Sequence, residues 1–311
     1  MNIVFFGTAD FGIPVLKALL NSPHKISAVI TNPPKPAGRG LHLRKSPVNI
    51  FAEENNLSPI LTPLDLKDEN FAAQLKNIDA DIFLVVAFSI LPKAIFEIPP
   101  KGTYNIHAAL LPQFRGPAPI QRAIESGAKK TGVSVFRIDS GIDTGDIAIQ
   151  KECEISDDDT TLSLYEKLSV LGAQAFIEAA QKIETGSVEY KIQDMKNASK
   201  APLLKKEEAI INWQNSAVDI ANKIRAFKPF PSSVTTINGE QITIEKAFAK
   251  DINLNKNARI GEIALLNKDE IFVQTGKGIL VITEIKPAGK RVMPVRDYIN
   301  GKRIKEGTVL I

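Results

Sequence analysis

Asn105 and His107 stand two residues apart at the end of a short β-prone run. Side chains at i and i+2 of a strand share a face, so both can aim at one site. An amide that can hold an oxyanion and an imidazole that can move protons suit acyl-type transfer. Residues 139–146 add a loop punctuated by Gly141 and Gly145 that carries Asp139, Asp143 and Asp146. A carboxylate such as Asp143 beside His107 would orient the ring and raise its pKa. Spacing alone leaves other roles open. A strand-end histidine can be a structural hydrogen bonder, and Asp143 can cap a turn or meet a cation.

The elements around these residues alternate. Short apolar runs at residues 3–6, 26–30 and 82–87 read as strands buried on both faces, as in a parallel sheet. Residues 103–106 and 131–138 read as further strands. Helical patterns fall between, at 14–20, 47–55 and 70–76, with Pro14 and Pro47 suited to a first turn. A long amphipathic helix is expected over 160–184. This is an α/β domain, a doubly wound and mostly parallel sheet. A site at residues 105–107 would sit at the carboxyl ends of its strands. Residues 190–206 are polar and lysine-rich and read as a linker. Beyond it come a helix near 216–226 and short strands at 233–237, 241–246, 261–266, 271–274 and 278–285, which suggest a small β-barrel. The expected domains are therefore 1–189, a linker 190–206, and 207–311.

The turn Gly7-Thr8-Ala9-Asp10-Phe11-Gly12 follows the first strand, where an anion could meet a helix N-terminus. It fails the dinucleotide pattern at Ala9, and no P-loop lysine follows, which disfavours a redox nucleotide enzyme. One cysteine, Cys153, excludes an internal disulfide and fits a reducing cytoplasm. His24, His42 and His107 are far apart, so no metal site is expected. No apolar run approaches the roughly 20 residues of a membrane span, and the first residues read as a core strand rather than a targeting segment. Residues 205–311 hold 18 Lys and Arg against 12 Asp and Glu, net +6, and the remainder holds 21 against 23, net −2. That excess suits either a polyanionic partner or a solvated surface.

Read with its neighbours, the constellation is more specific. Asn105-Ile106-His107-Ala108-Ala109-Leu110-Leu111-Pro112 precedes Arg115-Gly116, then Thr131-Gly132-Val133, then Asp143-Thr144-Gly145-Asp146. This ordered series resembles the enzymes that use 10-formyltetrahydrofolate as formyl donor. Within that family it looks most like the methionyl-tRNA formyltransferases. Residues 31–40 resemble their insertion loop, with its Pro-Ala-Gly-Arg-Gly core. Residues 224–231 resemble an Arg-Ala-Phe-x-Pro-x-Pro segment, and residues 287–293 a Pro-Gly-Lys-Lys-x-Met turn.

The resemblance implies a Rossmann-like formyltransferase domain followed by an OB-like barrel. It implies Asn105, His107 and Asp143 as catalytic residues. It places the folate pterin against Phe88, Ser89, Ile90 and Leu91 and against Ala109, Leu110, Leu111 and Pro112. Initiator methionyl-tRNA is the implied acceptor, contacted by Lys35, Arg39, Arg44, Lys45, Lys290 and Arg291. A monomer without metal or membrane partner is expected. The chain departs from the family pattern at Ala109, where serine is usual, at Phe88-Ser89, where Tyr-Gly is commoner, and at Leu41-His42, where two lysines are common. Formyl transfer to a small amine such as a sugar nucleotide or glycinamide ribonucleotide shares the catalytic motifs. A non-catalytic RNA-binding protein and a folate deformylating hydrolase are further alternatives.

Overall fold

The computed structural model describes residues 1–37, 42–252, 258–302 and 304–311. Two compact units emerge. The first comprises Met1–Pro119, Lys130–Glu154 and Tyr165–Ala201, and the second Ile120–Lys129, Ile155–Leu164 and Pro202–Ile311.

The chain begins with β1 (Asn2–Gly7), α1 (Ile13–Leu20), β2 (Lys25–Ile30), β3 (Lys35–Ala37), β4 (His42–Arg44), α2 (Pro47–Glu54), β5 (Ile60–Leu61) and α3 (Glu69–Lys76). β6 (Ile82–Val86), α4 (Lys93–Phe96), β7 (Thr103–His107), α5 (Pro119–Glu125), β8 (Lys130–Arg137), β9 (Ile147–Glu154) and α6 (Thr161–Thr185) follow. The first unit is built on one sheet of order β5-β2-β1-β6-β7-β8-β9. Pairing is parallel from β5 to β7 and antiparallel at β8 and β9. The mostly parallel, Rossmann-like expectation is thus observed, with an antiparallel edge.

Local sequence explains the elements. Ser46 caps α2 by accepting from the Asn49 N–H, with Pro47 opening the helix. Asp68 caps α3 in the same way through Asn70 N–H. The central strands are apolar on both faces because helices cover both. Val4, Phe6, Phe83 and Val85 pack with Phe71, Leu75, Leu91 and Ile95 on one side. On the other, α6 passes so close to β7 that a Cβ on Gly172 would lie 3.0 Å from Ile106 Cγ2. Ile106 therefore faces α6, and the alternating Asn105 and His107 face away from it.

β9 is absent from the sequence reading because an edge strand can stay polar: Gln150, Lys151, Glu152 and Glu154 alternate poorly. The hairpin of β3 and β4 reads as a proline-rich loop for a similar reason, since every described residue in it that has an assigned exposure is open to solvent. Residues 190–201 belong to the first unit and hydrogen-bond its loops, although their composition reads as a linker.

The second unit contains α7 (Ala217–Phe227), β10 (Ser233–Ile237), β11 (Glu240–Lys250), β12 (Ile263–Leu266), β13 (Ile271–Gln274), β14 (Ile279–Pro287), β15 (Met293–Pro294) and α8 (Val295–Lys302). Its antiparallel sheet runs β10-β11-β14-β13-β12, with β15 beside β14. The last residues bridge the two edges: Leu310 pairs with Ile237 and Val309 with Glu262. Ile220, Ile224 and Trp213 pack with Ile242, Ile244, Leu280 and Ile282 in its core. Among the described residues no helix is long and apolar enough to cross a membrane.

Candidate active site

β7 ends at His107, whose ring is buried at 5% relative exposure. Its Nε2 lies 2.8 Å from the Phe114 carbonyl oxygen. A carbonyl only accepts, so Nε2 carries the proton and Nδ1 is left as the basic atom. Nδ1 faces Asp143 Oδ2 at 3.6 Å. That is an ion-pair distance rather than a hydrogen bond, so the Phe114 carbonyl, not Asp143, fixes the ring's orientation. Asn105 lies on the same face, half-buried. Among the described residues its carboxamide has no hydrogen-bond partner, which leaves it open to a ligand.

Burial pulls the His107 pKa below the usual histidine value; the Asp143 charge and the Phe114 carbonyl act the other way and are outweighed. Asp143 acts upward as expected, but burial is larger and the net shift is downward. A neutral imidazole near pH 7 is a ready proton acceptor, and Asp143 stabilises the cation it becomes.

Asp143 is held by two hydrogen bonds. Its Oδ2 accepts from Gly116 N–H at 2.8 Å. Its backbone carbonyl accepts from Gln193 Nε2 at 3.0 Å. Its φ of +54° is left-handed, which costs a non-glycine residue about 1 kcal/mol and persists only when the surroundings impose it. Gly145 closes the loop so tightly that a Cβ would sit 1.7 Å from the Arg137 carbonyl oxygen. Gly116 has φ +119° and lies against the Ala201 carbonyl, so only glycine can present that N–H.

Ser134 ties the next segment to β8. Its buried hydroxyl donates to the Ala109 carbonyl at 2.7 Å and accepts from Leu111 N–H at 3.0 Å and Gln150 Nε2 at 2.9 Å. Phe114, Gly116, Ser134, Gln150 and Gln193 have no role in the sequence reading. Arg115-Gly116 was visible as a motif, but its function is a backbone N–H, which residue type does not reveal. In the turn after β1, the Phe11 N–H is taken by Tyr165 Oη, which donates to Asp10 at 2.5 Å. The first turn therefore carries its own carboxylate where an anion would sit.

The eight residues expected at the pterin differ in accessibility. Ala109 has no exposed surface, and Leu91 and Leu111 are core. Phe88, Leu110 and Pro112 are half-buried, while Ser89 and Ile90 are exposed. A serine hydroxyl missing at Ala109 is thus missing from a sealed position. A cleft of about 570 Å³ adjoins the acidic loop, lined by Asp139, Ser140, Gly145 and Asp146 together with Phe96, Ile138, Lys93 and Arg137. None of the eight lines it, but Phe96 and Ile138 skirt the same core cluster as Leu91 and Phe88. Among the described residues no cluster of His, Cys, Asp and Glu could hold a metal.

Residues 1–180 match the Formyl transferase family, and residues 203–303 match the family Formyl transferase, C-terminal domain. The chain belongs to the formyl transferase family. It is a formyltransferase, and Asn105, His107 and Asp143 lie within the matched region. Among solved structures it is similar to WlaRD, a sugar 3N-formyl transferase with dTDP and 5-N-formyl-THF. The identity is 24% over 94% of this chain and 99% of that one, with a TM-score of 0.70. The N-formyltransferase from Helicobacter canadensis, with folinic acid and dTDP-3-aminofucose, is 21% identical over 90% and 97%, at 0.68. The methionyl-tRNA formyltransferase from Clostridium thermocellum is 23% identical over 80% and 94%, at 0.54.

Of the basic residues expected to meet tRNA, Lys35 and Arg44 are exposed and are direct cross-strand partners in the β3–β4 hairpin. Lys45 is committed to Glu53 at 2.6 Å. Lys290 and Arg291 are exposed on the turn between β14 and β15. Arg39 lies outside the described residues. Arg225, from the Arg-Ala-Phe segment, donates to the Ser156 and Asp159 carbonyls at 3.0 Å each, a structural role.

Proposed function

We propose that this enzyme transfers the formyl group of 10-formyltetrahydrofolate to the α-amino group of initiator methionyl-tRNA. The donor fits the cleft beside the acidic loop: Phe96 and Ile138 suit a flat ring, Asp139 and Asp146 its N–H donors, and Lys93 and Arg137 a carboxylate tail. The donor supplies the formyl carbon. Asn105 donates to the oxyanion that develops there. His107 takes the proton lost by the attacking amine at Nδ1, while Nε2 stays on the Phe114 carbonyl. Asp143 stabilises the imidazolium, which returns the proton to the leaving nitrogen as the C–N bond breaks.

One observation carries the acceptor. Lys35 and Arg44 face each other directly across the hairpin. Like charges in that register destabilise a two-stranded ribbon, and neither has an ion-pair partner among the described residues. A phosphate between them would turn the repulsion into binding energy. The basic turn at Lys290 and Arg291 adds a second such surface. The measurement is acceptor affinity against salt concentration: replacing Lys35 and Arg44 with alanine should reduce the slope of log K against log salt by about one each. An unchanged slope would reject phosphate contact at the hairpin.

The likeness to two sugar formyltransferases over 90% or more of the chain favours a second reading, transfer to an amino sugar of a nucleotide sugar. A formyl-transfer assay with 10-formyltetrahydrofolate, offering methionyl initiator tRNA and a dTDP-amino sugar in parallel, decides between them. Transfer to the sugar alone overturns the tRNA reading.

A further inference from the structure

We propose that Gln193 is a positioning residue that sets the Asp143–His107 geometry from outside the catalytic motifs. This rests on the reading of that pair as the proton-handling groups.

Gln193 is 5% exposed, deep for a neutral polar residue. Both ends of its amide are occupied. Nε2 donates to the Asp143 carbonyl at 3.0 Å and to the Gly145 carbonyl at 2.7 Å. Oε1 accepts from Arg115 Nε at 3.1 Å and Nη2 at 2.6 Å. One side chain therefore joins the two loops that meet at the site. The loop with Asp143 is held on its donor end. The loop with Arg115 also carries the Phe114 carbonyl that fixes His107 and the Gly116 N–H that fixes Asp143. The same stretch of chain grips the second loop again: Ser199 Oγ accepts from Phe114 N–H at 2.8 Å, and the Ser199 carbonyl from Arg115 N–H at 2.9 Å.

The constraint has work to do. Asp143 holds a left-handed φ that it would not keep unaided. Releasing its carbonyl lets the backbone relax toward a right-handed or extended conformation and swings the carboxylate away from Nδ1. Among the described residues, Asp143 is the charge that acts on the imidazole. The Arg115 guanidinium, on the neighbouring loop, is turned to Gln193 and the Met195 sulfur. Loss of Gln193 should therefore act on His107 in the same direction as loss of the Asp143 charge.

The test follows the His107 ring by NMR through a pH titration of the free protein, with kcat and KM measured alongside on methionyl initiator tRNA. Gln193→Met keeps the length and removes all polar atoms. Gln193→Glu keeps the Arg115 acceptor, removes the donors and adds a negative charge that itself favours the imidazolium, so it is read by kcat and not by the midpoint. Asp143→Asn is the reference. Gln193→Met and Asp143→Asn should lower the His107 midpoint, and both Gln193 variants should lose about 10–100-fold in kcat with KM for 10-formyltetrahydrofolate unchanged. Should Asp143→Asn move the midpoint while Gln193→Met titrates as wild type and both Gln193 variants turn over as wild type, the proposal is overturned and the pair stands. Should Asp143→Asn itself leave the midpoint in place, the reading of the pair fails and the proposal falls with it. The NMR arm needs no acceptor and so is independent of which amine is formylated.

Discussion

Replacing Asp143 with asparagine should cost the enzyme about 50-fold in kcat, and the structure says why. The carboxylate and the imidazole are 15% and 6% exposed, and Oδ2 stands 3.6 Å from Nδ1. With an effective dielectric of about 20, a full positive charge on the ring gains about 4.6 kcal/mol from Asp143. If about half of the proton has been transferred at the transition state, about 2.3 kcal/mol of that is available to the rate, a factor of about 50. Asparagine is nearly the same size and its amide oxygen can still accept from Gly116 N–H. With the oxygen in the Oδ2 position, Nδ1 faces a neutral carbonyl oxygen in place of a carboxylate, and the full-charge stabilisation is lost. The assay is formyl transfer at saturating donor and acceptor from pH 5 to 9, with near-ultraviolet dichroism to confirm the fold. Wild-type kcat should rise with pH and level off below the usual histidine value, because burial holds His107 down. In the variant the plateau should drop and the acidic limb should move to still lower pH. A folded Asp143→Asn enzyme with kcat within about threefold of wild type would refute the electrostatic argument.

Three further outcomes are expected. Asn105→Ala should fold normally, since its carboxamide has no partner to lose among the described residues, and should lose about 10²–10³ in kcat; activity near wild type would remove Asn105 from the reaction. Ser134→Ala should lower the free energy of unfolding in urea by about 2 kcal/mol or more, because it orphans the buried Ala109 carbonyl and Leu111 N–H; an unchanged midpoint would show that the hydroxyl is dispensable. Stability should also fall as pH drops below about 6.5. His24 and His107 both bind protons less readily folded than unfolded, so the unfolded state takes up more protons there. Their contribution is complete above the unfolded value and is lost toward the folded ones. Equal urea midpoints at pH 7.5 and 5.5 would contradict this.

How much was legible depended on whether a residue acts through its type or through its backbone. β10 and β13 match their expected spans to the residue, because short runs of β-branched and aromatic residues between turn signals have one interpretation. β9 and the β3–β4 hairpin were invisible because edge strands can be polar throughout. The two-residue period puts Asn105 and His107 on one face, and β7 does so, but spacing left their roles open and only the ordered motifs around them pointed to formyl transfer. Asp143 was legible as an acid between glycines. Its left-handed backbone was not, since aspartate adopts right-handed and extended backbone more often and its type does not single out that conformation.

The same distinction explains what the site conceals. Its histidine is oriented by a carbonyl, its acid by an N–H, and its acidic loop by a buried glutamine that donates to two of the loop's carbonyls. Backbone groups are present at every residue, so sequence gives them no signal. Gln193 sits in a lysine-rich stretch whose composition reads as solvated linker, yet burial and four hydrogen-bond contacts mark it as interior. A polar residue earns that environment only if both ends of its amide are satisfied. Physically, the division of labour follows: the motifs carry the groups that change protonation, and the segment after them supplies uncharged partners that hold those groups without shifting their charge. A charged clamp in place of Gln193 would add a second field on His107 and pull its proton affinity away from the balance between burial and Asp143.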